Sequence, residues 1–221
     1  MGSLFLVRHA TTEASLAGVN LGQHDDAPLT PAGQQLAART GGAIRAELAA
    51  LPEGEIRLVS SPARRCRETA AAVGGALDDA THPLQVDPGL WEIDYGAWEG
   101  LTAEQSMARD PQLRTAWEAD PYTTRTPGGE SGADVARRAF AVLMPLEAWL
   151  AEQPGRAAVV VSHNHVVRLR LTALLEMPMA DYRRRIQADP GGYSLVTFNP
   201  DGSIVRRINA LPPESIGADA G

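Results

Sequence analysis

The feature that most constrains this chain is an alternation of short β-type runs with longer helical stretches. Strand character recurs at residues 3–7, 56–60, 157–162, 193–198 and 203–208. The last two flank Asn199-Pro200-Asp201-Gly202, a turn sequence, and are read as a hairpin. One helix is predicted from Thr30-Pro31, a capping residue followed by proline in the first turn, to about Leu51. Its apolar face holds Leu36, Ala43, Ile44, Leu48 and Leu51, and Gly41-Gly42 weakens its middle. A second helix is predicted from Pro62. A third runs from Ser131 to about Glu152, with Pro145 expected to kink it, and a fourth follows His163. This order predicts a three-layer α/β/α arrangement around a mainly parallel central sheet. The 221 residues suffice for one domain with a real core, so residues 1–221 are read as a single domain. Residues 101–130 are the least regular stretch and are expected to be an insertion over one sheet edge. The tail after Leu211 is expected to fray.

Composition removes several function classes. The formal charge of −7 argues against a general nucleic-acid binder, which needs a basic surface. All 20 basic residues are arginine, so every side-chain cation other than histidine is a planar fork suited to phosphate or carboxylate. The single cysteine, Cys66, forbids an intrachain disulfide and a Cys-based structural zinc site. No apolar run is long enough for a membrane span and no leader pattern opens the chain, so the cytoplasm is the expected location.

In parallel sheets ligands collect beyond the carboxyl ends of the strands. There the sequence places Arg8-His9, then Ser61-Pro62-Ala63-Arg64-Arg65, then His163-Asn164-His165. Three strand ends thus offer cations or imidazoles, and helix N-termini add backbone N–H groups: a pocket for a doubly charged anion such as phosphate. A histidine in such a pocket can attack phosphorus, with arginines carrying the charge of the transition state. Leu90–Gly100, "LWEIDYGAWEG", holds three candidate general acids, Glu92, Asp94 and Glu99, among Trp91, Tyr95 and Trp98. A carboxyl among aromatics is expected to keep its proton at neutral pH.

These elements resemble the histidine phosphatase superfamily, the phosphoglycerate mutase-like family. Its Arg-His-Gly-x-Thr signature stands here as Arg8-His9-Ala10-Thr11-Thr12. The Ser-Pro-x-x-Arg-x-x-x-Thr-Ala element begins at Ser61, and the Leu-x-Glu-x-x-x-Gly-x-Trp-Glu-Gly element spans residues 90–100. Pro127-Gly128-Gly129-Glu130-Ser131 and Val160-Val161-Ser162-His163 complete the set. The resemblance implies His9 as nucleophile, Arg8 and Arg65 as phosphate clamps, His163 as second histidine and Glu92 as proton donor. It implies substrate contacts from Arg8, Ser15, Gly22, Arg65, His163 and Asn164, and no metal or organic cofactor. Three positions depart from the pattern. Ala10 and Asn164 stand for glycines, and Ser15 for an asparagine that contacts phosphate. Asn20 is the candidate to compensate for Ser15.

Blander roles are expected for other conspicuous residues. Arg64 and Arg67 are read as solvated or salt-bridged, although Arg64 competes with Arg65 for the clamp. His165 is read as packed or on the substrate rim, His24 and His82 as surface residues, Cys66 as a small buried residue, and Trp91 and Trp98 as core. The favoured function is a metal-independent phosphomonoesterase acting on a small phosphorylated metabolite, such as a sugar phosphate, a phosphoglycerate or α-ribazole phosphate. The alternatives are a phosphoglycerate mutase and an inactive anion-binding protein. Against the mutase, Ile93-Asp94 follows Glu92, the 101–130 stretch has no Arg-Arg pair, and there is no lysine. No nucleic-acid or membrane partner is expected; a homodimer is an assembly the resemblance allows.

Overall fold

The computed structural model describes residues 1–24, 26–77 and 83–214. His82 and the end of the tail from residue 215, on which expectations fell, lie outside the described residues. The strands, in chain order, are β1 (Gly2–Arg8), β2 (Ile56–Ser60), β3 (Leu84–Val86), β4 (Ala157–Ser162), β5 (Tyr193–Asn199) and β6 (Gly202–Ala210). Among the described residues they form one sheet in the order β3-β2-β4-β1-β5-β6. The β3-β2-β4-β1 portion is parallel, and β5 and β6 add antiparallel strands at one side. The predicted hairpin is present, with Asn199 paired to Gly202 and the Asp201 N–H donating to Asn199 Oδ1 at 2.9 Å.

The central strands are apolar throughout because both faces are covered, which is the rule for parallel sheets. On β1, Leu4 and Leu6 face one hydrophobic cluster while Phe5 and Val7 face the other; Ala158 and Val160 on β4 divide from Val159 and Val161 in the same way. Helices α2 (Pro31–Ala49) and α3 (Arg64–Ala76) cover the second cluster through Ile44, Cys66, Ala70 and Val73. Helices α6 (Gly132–Glu152) and α7 (Asn164–Leu174) cover the first through Val135, Leu143, Val166 and Leu169. The layers are therefore α/β/α, and the sheet is mainly parallel.

The helix ends follow from local chemistry. Thr30 accepts from the Gly33 N–H and Pro31 occupies the first turn of α2. Ser131 and Asp134 form a reciprocal capping box that opens α6, and that helix runs on through Pro145. Helix α3 starts at Arg64, two residues later than expected, because Ser61 and Pro62 are used in the turn. β3 was not foreseen; three residues carry no readable period. Residues 101–130 are more regular than expected. They contain α4 (Ala103–Arg109) and α5 (Pro111–Ala119), and Trp117 of α5 packs with Tyr95, Trp98 and Tyr182. The short helices α1 (Glu13–Leu16) and α8 (Tyr182–Arg185) flank the carboxyl end of the sheet. Among the described residues no helix is long and apolar enough to cross a membrane.

Candidate active site

The carboxyl ends of β1, β2 and β4 converge. Ladder bonding continues past β1 as the His9 N–H donates to Ser162 O at 2.9 Å, and the Ser61 N–H donates to Val161 O at 3.0 Å. These bonds draw His9, Ser61 and His163 to one point from three distant stretches of chain. A pocket of about 190 Å³ opens there, with His9, Arg8, Arg65, Glu92, Ser15 and Asn164 in its wall.

His9 is 5% exposed, and its Nδ1 lies 2.8 Å from Ala10 O. A carbonyl only accepts, so Nδ1 carries the proton and Nε2 holds a bare lone pair. Burial, and after it the charges of Arg65 and Arg8, push the His9 pKa down to about 3. The imidazole is neutral and nucleophilic across the physiological range. Ala10 is fully buried, and its N–H is held by Thr69 Oγ1 at 3.0 Å, so α3 itself fixes the strand end.

His163 is fully buried, 5.3 Å from His9 between ring centroids. Arg65 donates to its Nδ1 at 3.3 Å, so Nε2–H donates to Ser61 Oγ at 2.8 Å. Trp91 stacks on the same ring, 6.5 Å between centroids at an interplanar angle of 9°. Burial and then the Arg65 charge hold His163 neutral, well below the usual histidine range. Arg65 is also fully buried and donates to Gly22 O at 2.9 Å, so the residue at position 22 meets the clamp through its carbonyl. Gly22 sits at φ +52°, in the left-handed region that favours glycine. Arg64 is instead exposed and paired with Glu68 at 2.7 Å, and Arg67 lies 3.8 Å from Asp26. Cys66 is buried with its thiol pushed up to about 12 by burial, and is chemically quiet.

Of the three carboxyl candidates, Glu92 is the one in the pocket wall. Asp94 accepts from the Gly96 N–H at 2.7 Å and shapes a turn. Glu99 accepts from the Gln23 and His24 N–H groups at 2.9 and 3.1 Å and from the His24 ring at 2.8 Å, so it holds the loop after α1. The His24 pKa is raised by that hydrogen bond.

The protonation expected of Glu92 is overturned. Burial alone would raise its pKa, as the aromatic surroundings suggest. The neighbouring His165, with its hydrogen bond to the carboxylate, and the Ile93 N–H at 2.9 Å outweigh it, and the carboxyl lies well below its ordinary value. His165 Nδ1 is 3.1 Å from Glu92 Oε1, and the His165 backbone N–H reaches the same oxygen at 3.3 Å. The His165 ring is caged by Tyr95, Trp117 and Tyr182. His165 is thus packed, as expected, but packed against the candidate acid.

The Ser15 contact is changed too. Its hydroxyl donates to Thr12 O at 2.8 Å within the capping box of α1, so its proton is already committed. Asn20, in the same pocket wall, has its Nδ2 buried without a hydrogen-bond partner among the described residues. That amide is the available donor. Asn164 also lines the pocket, with its Oδ1 buried and without a hydrogen-bond partner among the described residues.

Arg138 was missed. From α6 it donates to Gly89 O, Trp91 O and Glu92 O at 2.9, 2.6 and 2.8 Å, and both oxygens of Glu130 accept from it. It holds the segment carrying Glu92. Its position, seven residues into a helix, carries no motif signal.

Comparison with known proteins agrees with the geometry. A profile of the histidine phosphatase superfamily (branch 1) matches residues 4–211. A bifunctional protein of Mycobacterium tuberculosis is 34% identical over 93% of this chain and 53% of its own length. The chain therefore spans about half of that relative. A glucosyl-3-phosphoglycerate phosphatase of M. tuberculosis is 33% identical over 81% of this chain and 78% of its own length. A solved mycobacterial glucosyl-3-phosphoglycerate phosphatase, in complex with VO3, superposes with a TM-score of 0.80 at 26% identity, covering 95% of this chain and all of that one. The family match spans nearly the whole chain, and the pocket brings together Arg8-His9, Arg65, Glu92 and Asn164, the neighbour of His163; the chain belongs to the histidine phosphatase superfamily.

Proposed function

We propose that this protein is a metal-independent phosphomonoesterase that acts on a small phosphorylated metabolite through a phosphohistidine at His9. The observation that carries this reading is the His9 tautomer: Nδ1–H tied to Ala10 O, with Nε2 bare in a pocket walled by Arg8, Arg65 and Glu92. Nε2 attacks phosphorus in line, the P–N bond forms, and the P–O ester bond breaks. Arg8 and Arg65 balance the charge on the equatorial oxygens, so the pocket supplies from its own side chains the cations that phosphoryl transfer requires. Glu92 by itself is ionised, and the phosphate supplies the proton it lacks. The incoming negative charge raises its proton affinity, and a substrate monoanion, with a phosphate pKa near 6, delivers the proton that Glu92 passes to the leaving alkoxide. Water then attacks the phosphohistidine, the P–N bond breaks, and Glu92 accepts the water's proton. That proton passes from Glu92 to the departing inorganic phosphate, which leaves as the monoanion, and neutral His9 and ionised Glu92 are regenerated.

The related glucosyl-3-phosphoglycerate phosphatases support a small-metabolite substrate. The test is phosphate release from a panel of small phosphomonoesters in the presence of EDTA, for wild type and His9→Ala. Release that survives EDTA and vanishes in the variant supports the proposal. Release retained by His9→Ala, or removed by EDTA, overturns it.

A further inference from the structure

Outside the pocket wall, three side chains from two separate stretches of chain converge. His24 Nδ1, a carboxylate oxygen of Asp94 and a carboxylate oxygen of Glu99 all lie within 4.8 Å of one another. None of the three residues lines the phosphate pocket. His24 Nδ1 and Glu99 Oε2 are 2.8 Å apart, with the His24 side chain 73% exposed and that of Glu99 11%. Both acids are held in place by the backbone. The Gln23 N–H donates to Glu99 Oε1 at 2.9 Å, and the Gly96 N–H donates to Asp94 Oδ1 at 2.7 Å. The Asp94 main chain is fixed as well: its N–H donates to Glu130 Oε2 at 3.0 Å, and its carbonyl accepts from Thr126 Oγ1 at 2.7 Å.

One imidazole with two carboxylates is a ligand set for a first-row divalent ion. Magnesium and calcium take oxygen ligands, whereas imidazole suits zinc and its neighbours. Bonds of about 2.0–2.2 Å put the ligand atoms of a four-coordinate zinc roughly 3.3–3.6 Å apart. Here the spread is 2.8 to 4.8 Å, so the adjustment needed is about an ångström and falls to the exposed His24 ring. Three protein ligands leave the fourth position to water, which makes the site open and exchangeable.

The neighbouring contacts say what an ion there would join. Gly22 O accepts from the clamp Arg65 at 2.9 Å, Gln23 Nε2 donates to Glu92 O at 2.8 Å, and the His24 N–H donates to Glu99 at 3.1 Å. The loop that ends at His24 therefore touches the phosphate clamp and the acid-bearing segment in successive residues.

We propose that His24, Asp94 and Glu99 form a binding site for a zinc-class divalent ion, which staples the loop carrying Gly22 to the segment carrying Glu92. On binding, the ion takes the place of the hydrogen bond between His24 Nδ1 and Glu99, and the neutral imidazole keeps its proton on Nε2. The ion takes no part in the reaction at His9, so this inference stands apart from the phosphatase reading.

The test is calorimetric titration of the chelator-treated chain with zinc chloride, and separately with magnesium chloride, for wild type, His24→Gln and His9→Ala. His24→Gln alters an exposed ring and leaves the core untouched. Zinc is expected to bind wild type and His9→Ala alike. It should bind His24→Gln more weakly by at least roughly ten-fold, the lower end of what even a contact supporting a metal ligand is worth. Magnesium should bind at least about ten-fold more weakly than zinc, because it gains little from imidazole. In histidine-ring NMR, zinc should shift the His24 resonances and leave those of His9 and His163 in place. Zinc affinity unmoved by His24→Gln, zinc binding lost in His9→Ala, or magnesium bound as tightly as zinc each overturns the site. Phosphate release is assayed in EDTA, where the site holds no ion, so failure of the phosphatase reading and failure of the metal site are read out separately.

Discussion

Lowering the pH is the most direct probe of the nucleophile. An imidazole with the ordinary pKa of 6.5 is about 3% neutral at pH 5, whereas one at about 3 is about 99% neutral, a difference of roughly 30-fold in competent His9. The structural causes are burial first, then Arg65 and Arg8, each disfavouring imidazolium, with the Ala10 carbonyl pulling weakly the other way. The assay is an NMR titration of the His9 ring in the ligand-free protein, assigned with His9→Ala, from pH 8 to pH 4. Its resonances should stay at neutral-form shifts throughout. In parallel, phosphohistidine formed with an aryl phosphate and trapped by a rapid alkaline quench should not decline ten-fold per pH unit below 6.5. A His9 resonance titrating near 6.5 would refute the electrostatic argument, and with it the claim that the bare Nε2 is the resting state.

Other outcomes follow from the same contacts. Glu92→Gln should slow hydrolysis of alkyl phosphates by about 10²- to 10⁴-fold, the usual worth of a general acid, and aryl phosphates far less; an equal loss on both would remove Glu92 from the acid role. His165→Asn removes the group that most lowers the Glu92 pKa, so that pKa rises, and the basic limb of the alkyl phosphate rate profile should move to higher pH; a limb that stays put defeats the coupling. Arg138→Met loses three carbonyl bonds and the Glu130 pair at a site about one-fifth exposed, which should cost about 2–3 kcal/mol in urea unfolding after discounting a buried pair for solvent, together with a fall in kcat. Loss of less than about 0.5 kcal/mol, the range of an ordinary surface change, would show that the 89–94 segment holds itself.

The sequence alone determined the layer order, because apolar runs and amphipathic periods are local and survive without partners. It also determined which residues stand at the strand ends: Arg8-His9, Ser61-Pro62 and Ser162-His163 each follow directly on an apolar run. Tertiary structure decided what those residues are chemically. The His9 proton sits on Nδ1 because the chain folds Ala10 O back to it. Glu92 is ionised because α7 brings His165 against it across more than 70 residues of chain, a contact no reading of the aromatic residues beside Glu92 could supply. Ser15 spends its proton inside its own helix cap, while Asn20 is left with a buried amide nitrogen that has no hydrogen-bond partner among the described residues. β3 is defined by its pairing with β2. Each of these depends on desolvation or on a non-local partner, and neither is encoded in the spacing of residues along the chain.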